Sequence, residues 1–195
     1  MSHDVRAFRD ALRHLHRNKD AAYGDAWKKR GEVMSILANV ARKVDRLEHV
    51  RDGAPRTPDE SHFDTSVDLL VYALKYQTYL ADQDETVAVA LFGPGPHTAR
   101  YSDGAAGFEL LLDVLDLSSL ETADDLNSSL ALDAVLSAFQ DIELLVQCEA
   151  MAPIRRRAEG AHALICAACN LVASLKQHAP VSFDEFLGKY LEGTN

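Results

Sequence analysis

The chain of 195 residues is long enough for one large or two small domains, and 47% hydrophobic residues suffice to build a core. A formal net charge of −10 argues against tight binding to a nucleic-acid backbone, which requires a basic surface. No apolar run is long enough to span a membrane and the N-terminus lacks a signal-peptide core, so we expect a cytoplasmic protein without a membrane partner.

The first predicted helix covers residues 4 to 17, where apolar residues recur at helical spacing. Residues 18 to 31 are polar and contain two glycines, which predicts a structured loop or short turns. Tyr23 and Trp27 lie in this segment, and Trp27 is the only tryptophan of the chain. Two interpretations of Trp27 remain open: with Tyr23 it could stack on a base, or it could plug the end of a helical bundle.

Two further helices are predicted at residues 39 to 50 and 60 to 80, as antiparallel neighbours separated by a break that contains two prolines. On the second helix, Glu60, Asp64 and Asp68 recur every four residues on a stripe that continues to Tyr72 and Lys75. Apolar residues flank this stripe on both sides. The carboxylates should therefore repel one another and need a compensating cation, and neutralising Asp64 or Asp68 should relieve that repulsion.

The first helix of this pair carries possible partners for these acids. Asn39, Lys43 and Arg46 follow one edge of its apolar face, and Glu48 lies near the other edge. In one interpretation Lys43 and Arg46 pair with the acids only to hold the bundle together. In the other, the same charges form a binding site.

The remaining elements are also predicted as helices. A capping pattern from Asp82 to Glu85 favours a short helix that ends at Gly93, although its apolar run would also suit a strand. Residues 93 to 104 are rich in glycine and proline and read as a linker, and long helices follow on either side of Pro153. We therefore predict an all-α protein, with an antiparallel helical bundle at residues 1–92, a linker at 93–104 and a C-terminal helical region at 105–195.

Two smaller groups in the C-terminal half allow more than one interpretation. His162, Cys166 and Cys169 share a helical face and could supply three soft metal ligands, but the alanine-rich surroundings favour a buried helix interface. The run of arginines at 155 to 157 begins a helix, and an exposed turn is its simplest interpretation.

At the central helices a resemblance to a known family appears. It is carried by Tyr23-Gly24, Trp27, Lys43-x-x-Arg46-Leu47 and Glu60-Ser61-x-x-Asp64-Thr65-x-x-Asp68-Leu69-x-x-Tyr72-Ala73. This pattern, within about residues 10 to 80, resembles the nucleotide modification associated domain family, which is similar to the MazG-like all-α NTP pyrophosphohydrolases. That superfamily holds Mg²⁺ against a triphosphate with an E-x-x-E helix facing an E-x-x-D helix. In this chain Asp68 matches the last acid, whereas Lys43 and Arg46 stand on the inward edge of the first helix.

The resemblance implies a Mg²⁺-dependent nucleoside triphosphate pyrophosphohydrolase, or a nucleotide-binding protein, of phage-associated modified-nucleotide metabolism. The implied metal ligands are Glu48, Glu60, Asp64 and Asp68. Asp64, Asp68, Lys43 and Arg46 would act in catalysis. The nucleotide would contact Tyr23, Trp27, Asn39, Lys43, Arg46, Tyr72 and Lys75. The alternative is a non-catalytic helical nucleotide sensor or protein-interaction module. We also expect a homodimer or higher homo-oligomer, because one short partner helix cannot cover the apolar surface of the second central helix.

Overall fold

The computed structural model of the protein describes residues 2–51, 61–95, 99–122, 126–147 and 151–191, and within these ranges the chain is an all-α helical bundle without strands. The helices in these ranges are α1 (His3–Tyr23), α2 (Ala38–Arg51), α3 (His62–Ala81), α4 (Glu85–Phe92), α5 (Ala106–Val114), α6 (Ser119–Thr122), α7 (Ser128–Gln147), α8 (Ile154–His178) and α9 (Pro180–Leu191). The predicted all-α fold class is confirmed.

Helix α1 is longer than predicted. Ser2 caps its start, with a hydroxyl that accepts the amide of Val5, and the helix ends at Tyr23, after which Gly24 takes a positive φ of 48°. The loop predicted from residue 18 onward is therefore wrong for its first six residues, because polar residues without glycine or proline still propagate a helix. A 3₁₀ turn at Gly24–Trp27 and a π-helical turn at Glu32–Leu37 then lead into α2.

Helix α3 forms the centre of the bundle. Most of its side chains are buried, and it contacts α1, α2, α4, α5, α8 and α9. The prediction of an oligomer depended on apolar surface that one partner helix could not cover, and several helices of the same chain cover that surface here. Self-association stays a prediction, which light scattering can test.

Helix α4 settles the ambiguity between helix and strand in favour of a helix. Asp84 caps it by accepting the amides of Thr86 (2.8 Å) and Val87 (3.4 Å), and Gly93 ends it at a φ of 82°. Asp82, the residue predicted to cap α4, instead accepts the backbone amides of Tyr101 (2.6 Å) and Ser102 (3.2 Å). Asp82 thereby fixes the second half of the glycine- and proline-rich segment against the end of α3.

The hydrophobic core is shared by residues on both sides of the predicted linker. Phe8 of α1 stacks on Phe183 of α9 with ring centroids 5.9 Å apart, and Phe63 of α3 meets the same ring edge-on at 5.9 Å. The division at residues 93–104 stays a prediction about chain organisation. In the structure, residues before and after that segment bury one another.

A buried ion pair joins the start of the α2 region to α8. Glu32, in the π-helical turn, pairs with Arg157 and accepts a hydrogen bond of 2.5 Å from the hydroxyl of Tyr76. Arg157 also donates to the carbonyl of Ala152 at 3.0 Å. The exposed turn predicted for the arginine run holds for residues 155 and 156 but is wrong for Arg157, because its charge is neutralised inside the bundle.

Helix α8 is the one helix of the described chain that is long and apolar enough to cross a membrane. However, 67% of the most apolar 18-residue stretch of this helix is buried inside the protein. It packs mainly against α3 and α7, as expected for a core helix.

Gly107 gives a test of the packing between the segment after α4 and the start of α5. A Cβ at Gly107 would lie 2.7 Å from the carbonyl carbon of Tyr101 and 2.8 Å from its Cα, so the backbone would have to move. We expect Gly107→Ala to lower the free energy of unfolding by about 1–3 kcal/mol, as overpacking usually does. Urea denaturation measures this, with Gly95→Ala as the matched control, since a Cβ at Gly95 meets no atom within 4 Å. Equal stability of the two variants would contradict the packing described here.

Candidate functional site

Asp68 lies at the centre of a cluster of charges on α3, α1 and α2. Its carboxylate pairs with the ammonium group of Lys19 and, at 2.8 Å, with that of Lys43. We call these three residues the Asp68 cluster. Burial alone would raise the pKa of Asp68, but the two lysines hold that pKa below its usual value. Of the predicted pairs, Lys43 with Asp68 is therefore present, and Lys19 is a partner that the sequence did not indicate.

Asp64 has a local structural role at the start of α3. Its carboxylate accepts hydrogen bonds from the amide (3.2 Å) and hydroxyl (2.8 Å) of Ser61, while its own amide donates to the Ser61 hydroxyl at 3.0 Å. This is a capping box, in which two otherwise unsatisfied amides of the first turn are bonded reciprocally. Arg46 forms no ion pair with Asp64 or Asp68, although all three residues lie in the described part of the chain.

The described residues among those predicted to bind magnesium are engaged by other groups in this arrangement. Both oxygens of Asp68 are paired with lysines, one oxygen of Asp64 belongs to the capping box, and Glu48 pairs with Arg51 at 3.4 Å. The fourth predicted ligand, Glu60, lies outside the described residues. Within those residues no group of three or more His, Cys, Asp or Glu side chains could hold a metal ion. A divalent cation would have to displace two ammonium groups to reach Asp68.

Next to the Asp68 cluster is a cavity of about 510 Å³, which we call the aromatic pocket. It is lined by Lys19, Tyr23, Gly24, Ala26, Trp27, Asn39, Arg42, Val71, Tyr72 and Lys75. Five residues predicted from the sequence to contact a nucleotide are therefore together, namely Tyr23, Trp27, Asn39, Tyr72 and Lys75. The volume is in the range of small-molecule sites, and no acidic side chain is among the residues that line the pocket.

Lys75 is the unusual group in the aromatic pocket. Lys75 is only 7% exposed, and its ammonium group has no hydrogen-bond or ion-pair partner among the described residues. Its ammonium group lies 4.5 Å from the centre of the Trp27 ring, a cation–π contact that partly compensates for lost hydration. Burial lowers the pKa of Lys75 to about 8. A buried cation with incomplete compensation, open to a cavity, is suited to binding an anion.

Of the two interpretations of Trp27, burial at the end of the bundle is confirmed, and stacking on a base stays a prediction. Trp27 is 6% exposed and belongs to the core, so it does close one end of the bundle. It also lines the aromatic pocket and lies below two ammonium groups, those of Lys75 and, at 5.7 Å, Lys28. Tyr23, at the edge of the same pocket, is 71% exposed.

Sequence reasoning missed two cations of the aromatic pocket, Lys19 and Arg42. Lys19 lies in the stretch predicted as a loop, and only the extension of α1 brings it against α3. Arg42 is one residue from the predicted Lys43, and its guanidinium donates to the side-chain oxygen of Asn39. The signal available in the sequence was the spacing of three residues between Asn39 and Arg42, which makes the two side chains neighbours on a helix. Lys43 and Arg46 are not among the residues that line the pocket.

Of the three possible soft metal ligands on α8, Cys169 is buried, whereas His162 and Cys166 lie next to each other at the surface. Cys169 is buried in the core, whereas Cys166 is exposed and its sulfur lies 3.7 Å from Nε2 of His162. Burial raises the pKa of Cys169 to about 12. The interpretation as a helix interface therefore describes Cys169.

Comparisons with family models, with curated proteins and with solved structures found no match to this chain.

The Asp68 cluster reverses one expectation from the sequence. Because Asp68 is 17% exposed and is neutralised by two lysines, Asp68→Asn should leave two repelling cations rather than relieve a repulsion between acids. We expect its free energy of unfolding to fall by about 1–3 kcal/mol, and Asp68→Asn combined with Lys43→Met to recover part of this loss. Urea denaturation of the single and double variants measures both effects. Unchanged or higher stability of Asp68→Asn would show that the ion pairs contribute nothing.

His16, a buried residue of α1, should make the stability of the protein depend on pH. It is 1% exposed, its ring stacks on Phe108 with centroids 3.9 Å apart, and burial with the nearby charge of Lys75 lowers the pKa of His16 to about 4. The unfolded chain binds this proton below about pH 6.5 and the folded chain does not, so stability should fall as the pH drops from 6.5 towards 4.

We expect a loss of about 1–2 kcal/mol between pH 7 and pH 5, and His16→Phe should remove most of it. The measurement is urea denaturation at both pH values, with His14→Phe on the same helix as the control. If His16→Phe lost as much stability as the wild type over this range, His16 would not be the responsible group.

Proposed function

We propose that the protein binds a nucleotide, or a similar phosphorylated aromatic molecule, in the aromatic pocket and that it does so as a non-catalytic sensor. The observation that carries this proposal is Lys75, a buried cation that lacks an anionic partner among the described residues and faces a cavity lined by aromatic rings. In a chain with a net charge of −10, such a concentration of cations around one cavity is not explained by composition.

The groups that line the pocket match both halves of a nucleotide. Trp27, Tyr23 and Tyr72 supply ring faces, on which a base can stack. Lys75, Lys19 and Arg42 supply positive charge for phosphate oxygens, and the planar guanidinium of Arg42 can bond two oxygens at once. Asn39 adds an amide that can read a base edge or a sugar hydroxyl.

The resemblance to the nucleotide modification associated domain family supports a nucleotide as ligand. Its superfamily chemistry, pyrophosphate release assisted by Mg²⁺, is the second candidate, because Asp64 and Asp68 line one small cavity of about 170 Å³ together with Lys19. We favour sensing over hydrolysis because lysines occupy the carboxylate of Asp68 in the position where the superfamily holds its metal.

An assay of pyrophosphate release separates the two candidates. The protein is incubated with a panel of nucleoside triphosphates and deoxynucleoside triphosphates, with Mg²⁺ or with EDTA, and binding is measured in parallel. A sensor binds in EDTA and releases no pyrophosphate. Release that requires Mg²⁺ and is lost in Asp68→Asn would favour the hydrolase. A cytoplasmic location and a role in modified-nucleotide metabolism are parts of the same proposal, since free nucleotides are available there.

Lys75→Met provides the direct test of the binding site. The substitution removes an unpaired buried charge, so we expect the free energy of unfolding at pH 7 to rise by about 1–3 kcal/mol. The same change should weaken nucleotide binding about 10- to 100-fold, because a charge-assisted contact to phosphate is lost. In the wild type, affinity should fall as the pH rises through about 8, since Lys75 then loses its proton.

Binding can be followed through the fluorescence of Trp27, the only tryptophan of the chain, which lies in the pocket. Lys176→Met is the matched control, because Lys176 lies outside the aromatic pocket and pairs with Asp4 at 2.6 Å. It should lose stability and keep its affinity. A Lys75→Met variant that bound nucleotides as tightly as the wild type would refute the proposed site.

A further inference from the structure

A second recess lies on the other side of α3 from the aromatic pocket. Gln77 is two residues after Lys75, so the two side chains leave the helix in nearly opposite directions. Two adjoining cavities of about 540 and 260 Å³ meet at Gln77 between α3, α4, α5 and α8, and they share Ala90, Leu91 and His162. We call this recess the Gln77 groove.

The polar group at the base of the groove is the amide of Gln77. This residue is 4% exposed, and no described side chain or backbone group forms a hydrogen bond with its side-chain amide. Buried amides in folded proteins are nearly always hydrogen-bonded, and a missing partner is costly. The amide nitrogen and oxygen of Gln77 are not among the fully buried polar atoms that lack a partner in the described chain, so the amide lies at the surface of the groove. It has both a donor and an acceptor available to a bound molecule.

The walls of the groove are largely apolar, and its charged side chains lie at the rim. Val87 and Leu91 of α4 and Ala158 of α8 form much of the surface around Gln77. Arg155 and Glu159 pair with each other at 3.5 Å and are largely exposed. Asp116, the third charged residue, is also exposed and accepts the backbone amide of Ser118 at 2.9 Å. A charged ligand would lose its hydration here without meeting a buried counter-charge, so the lining favours a neutral molecule.

We propose that the Gln77 groove binds a neutral, flat and mainly apolar small molecule that carries a carboxamide or lactam edge. The N–H of that edge donates to the side-chain oxygen of Gln77, and its carbonyl accepts from the side-chain nitrogen. The rest of the molecule lies between α4 and α8. The combined cavity has the size of small-molecule sites, and this site is independent of the nucleotide site proposed above.

The test uses three probes of the same shape: 2-naphthamide, 2-acetylnaphthalene and 2-naphthoate. The first can donate and accept, the second can only accept, and the third is an anion. Titration calorimetry of the full chain should give 2-naphthamide the highest affinity, by about fivefold to tenfold over 2-acetylnaphthalene, with 2-naphthoate the weakest.

Two variants locate the binding. Gln77→Met should lower the affinity for 2-naphthamide about fivefold to tenfold and change that for 2-acetylnaphthalene less than about twofold, with an unchanged or higher melting temperature. Gln140→Met, at an exposed position of α7, is the matched control. Ala90→Trp places a large ring at an exposed position of the groove wall and should abolish binding of all three probes.

Three results would overturn the proposal. They are equal affinities for 2-naphthamide and 2-naphthoate, unchanged affinity for 2-naphthamide in Gln77→Met, and unchanged binding in Ala90→Trp. Because Gln77 and Ala90 do not line the aromatic pocket, these variants leave nucleotide binding as an independent control for folding.

Discussion

The structure depends on how the free-energy cost of burying the charged side chains of helix α3 is compensated. This helix is surrounded by other helices, and two charged residues of its polar stripe, Asp68 and Lys75, are taken into the bundle with it. Asp68 is neutralised by Lys19 and Lys43, which are on two different helices and hold α1 and α2 against α3. Lys75 receives the face of Trp27 instead of a carboxylate. Burial acts on both groups, and their different partners decide which one is neutralised and which one is available to the proposed ligand.

Much of this arrangement could be predicted from local patterns. The break at two prolines, the recurring apolar residues and the acids at every fourth position define the α2–α3 pair, because helical periodicity is a property of the sequence itself. The same periodicity places Tyr72 and Lys75 on one stripe, and in the structure they line one pocket with Tyr23, Trp27 and Asn39. Fold class and much of the pocket lining are thus consequences of spacing along the chain.

What could not be predicted depends on contacts between distant segments. Lys19 meets Asp68 only because α1 continues past residue 17, and nothing in the local sequence shows whether a polar stretch without glycine or proline stays helical. The absence of a partner for Gln77, and the presence of one for Arg157, likewise depend on which side chains other helices bring nearby. For Asp64, in contrast, a contact within the first turn of its own helix determines where the side chain lies. The resemblance implies a metal ligand at this position, but Ser61, three residues earlier, accounts for the position of the Asp64 side chain through a capping box.

The ion pair between Glu32 and Arg157 has a consequence for the order in which the protein folds. It joins residues 125 positions apart, and the turn that contains Glu32 follows directly on the segment that supplies Trp27 and the wall of the aromatic pocket. Contacts of such sequence separation form late, because the entropy of closing a long loop opposes them until most of the chain is ordered. We therefore expect the central helices to collapse early as a local unit, and the turn beside the proposed ligand site to become fixed only when α8 has docked. During refolding, the compact state and the ability to bind the proposed ligand should therefore appear on different timescales.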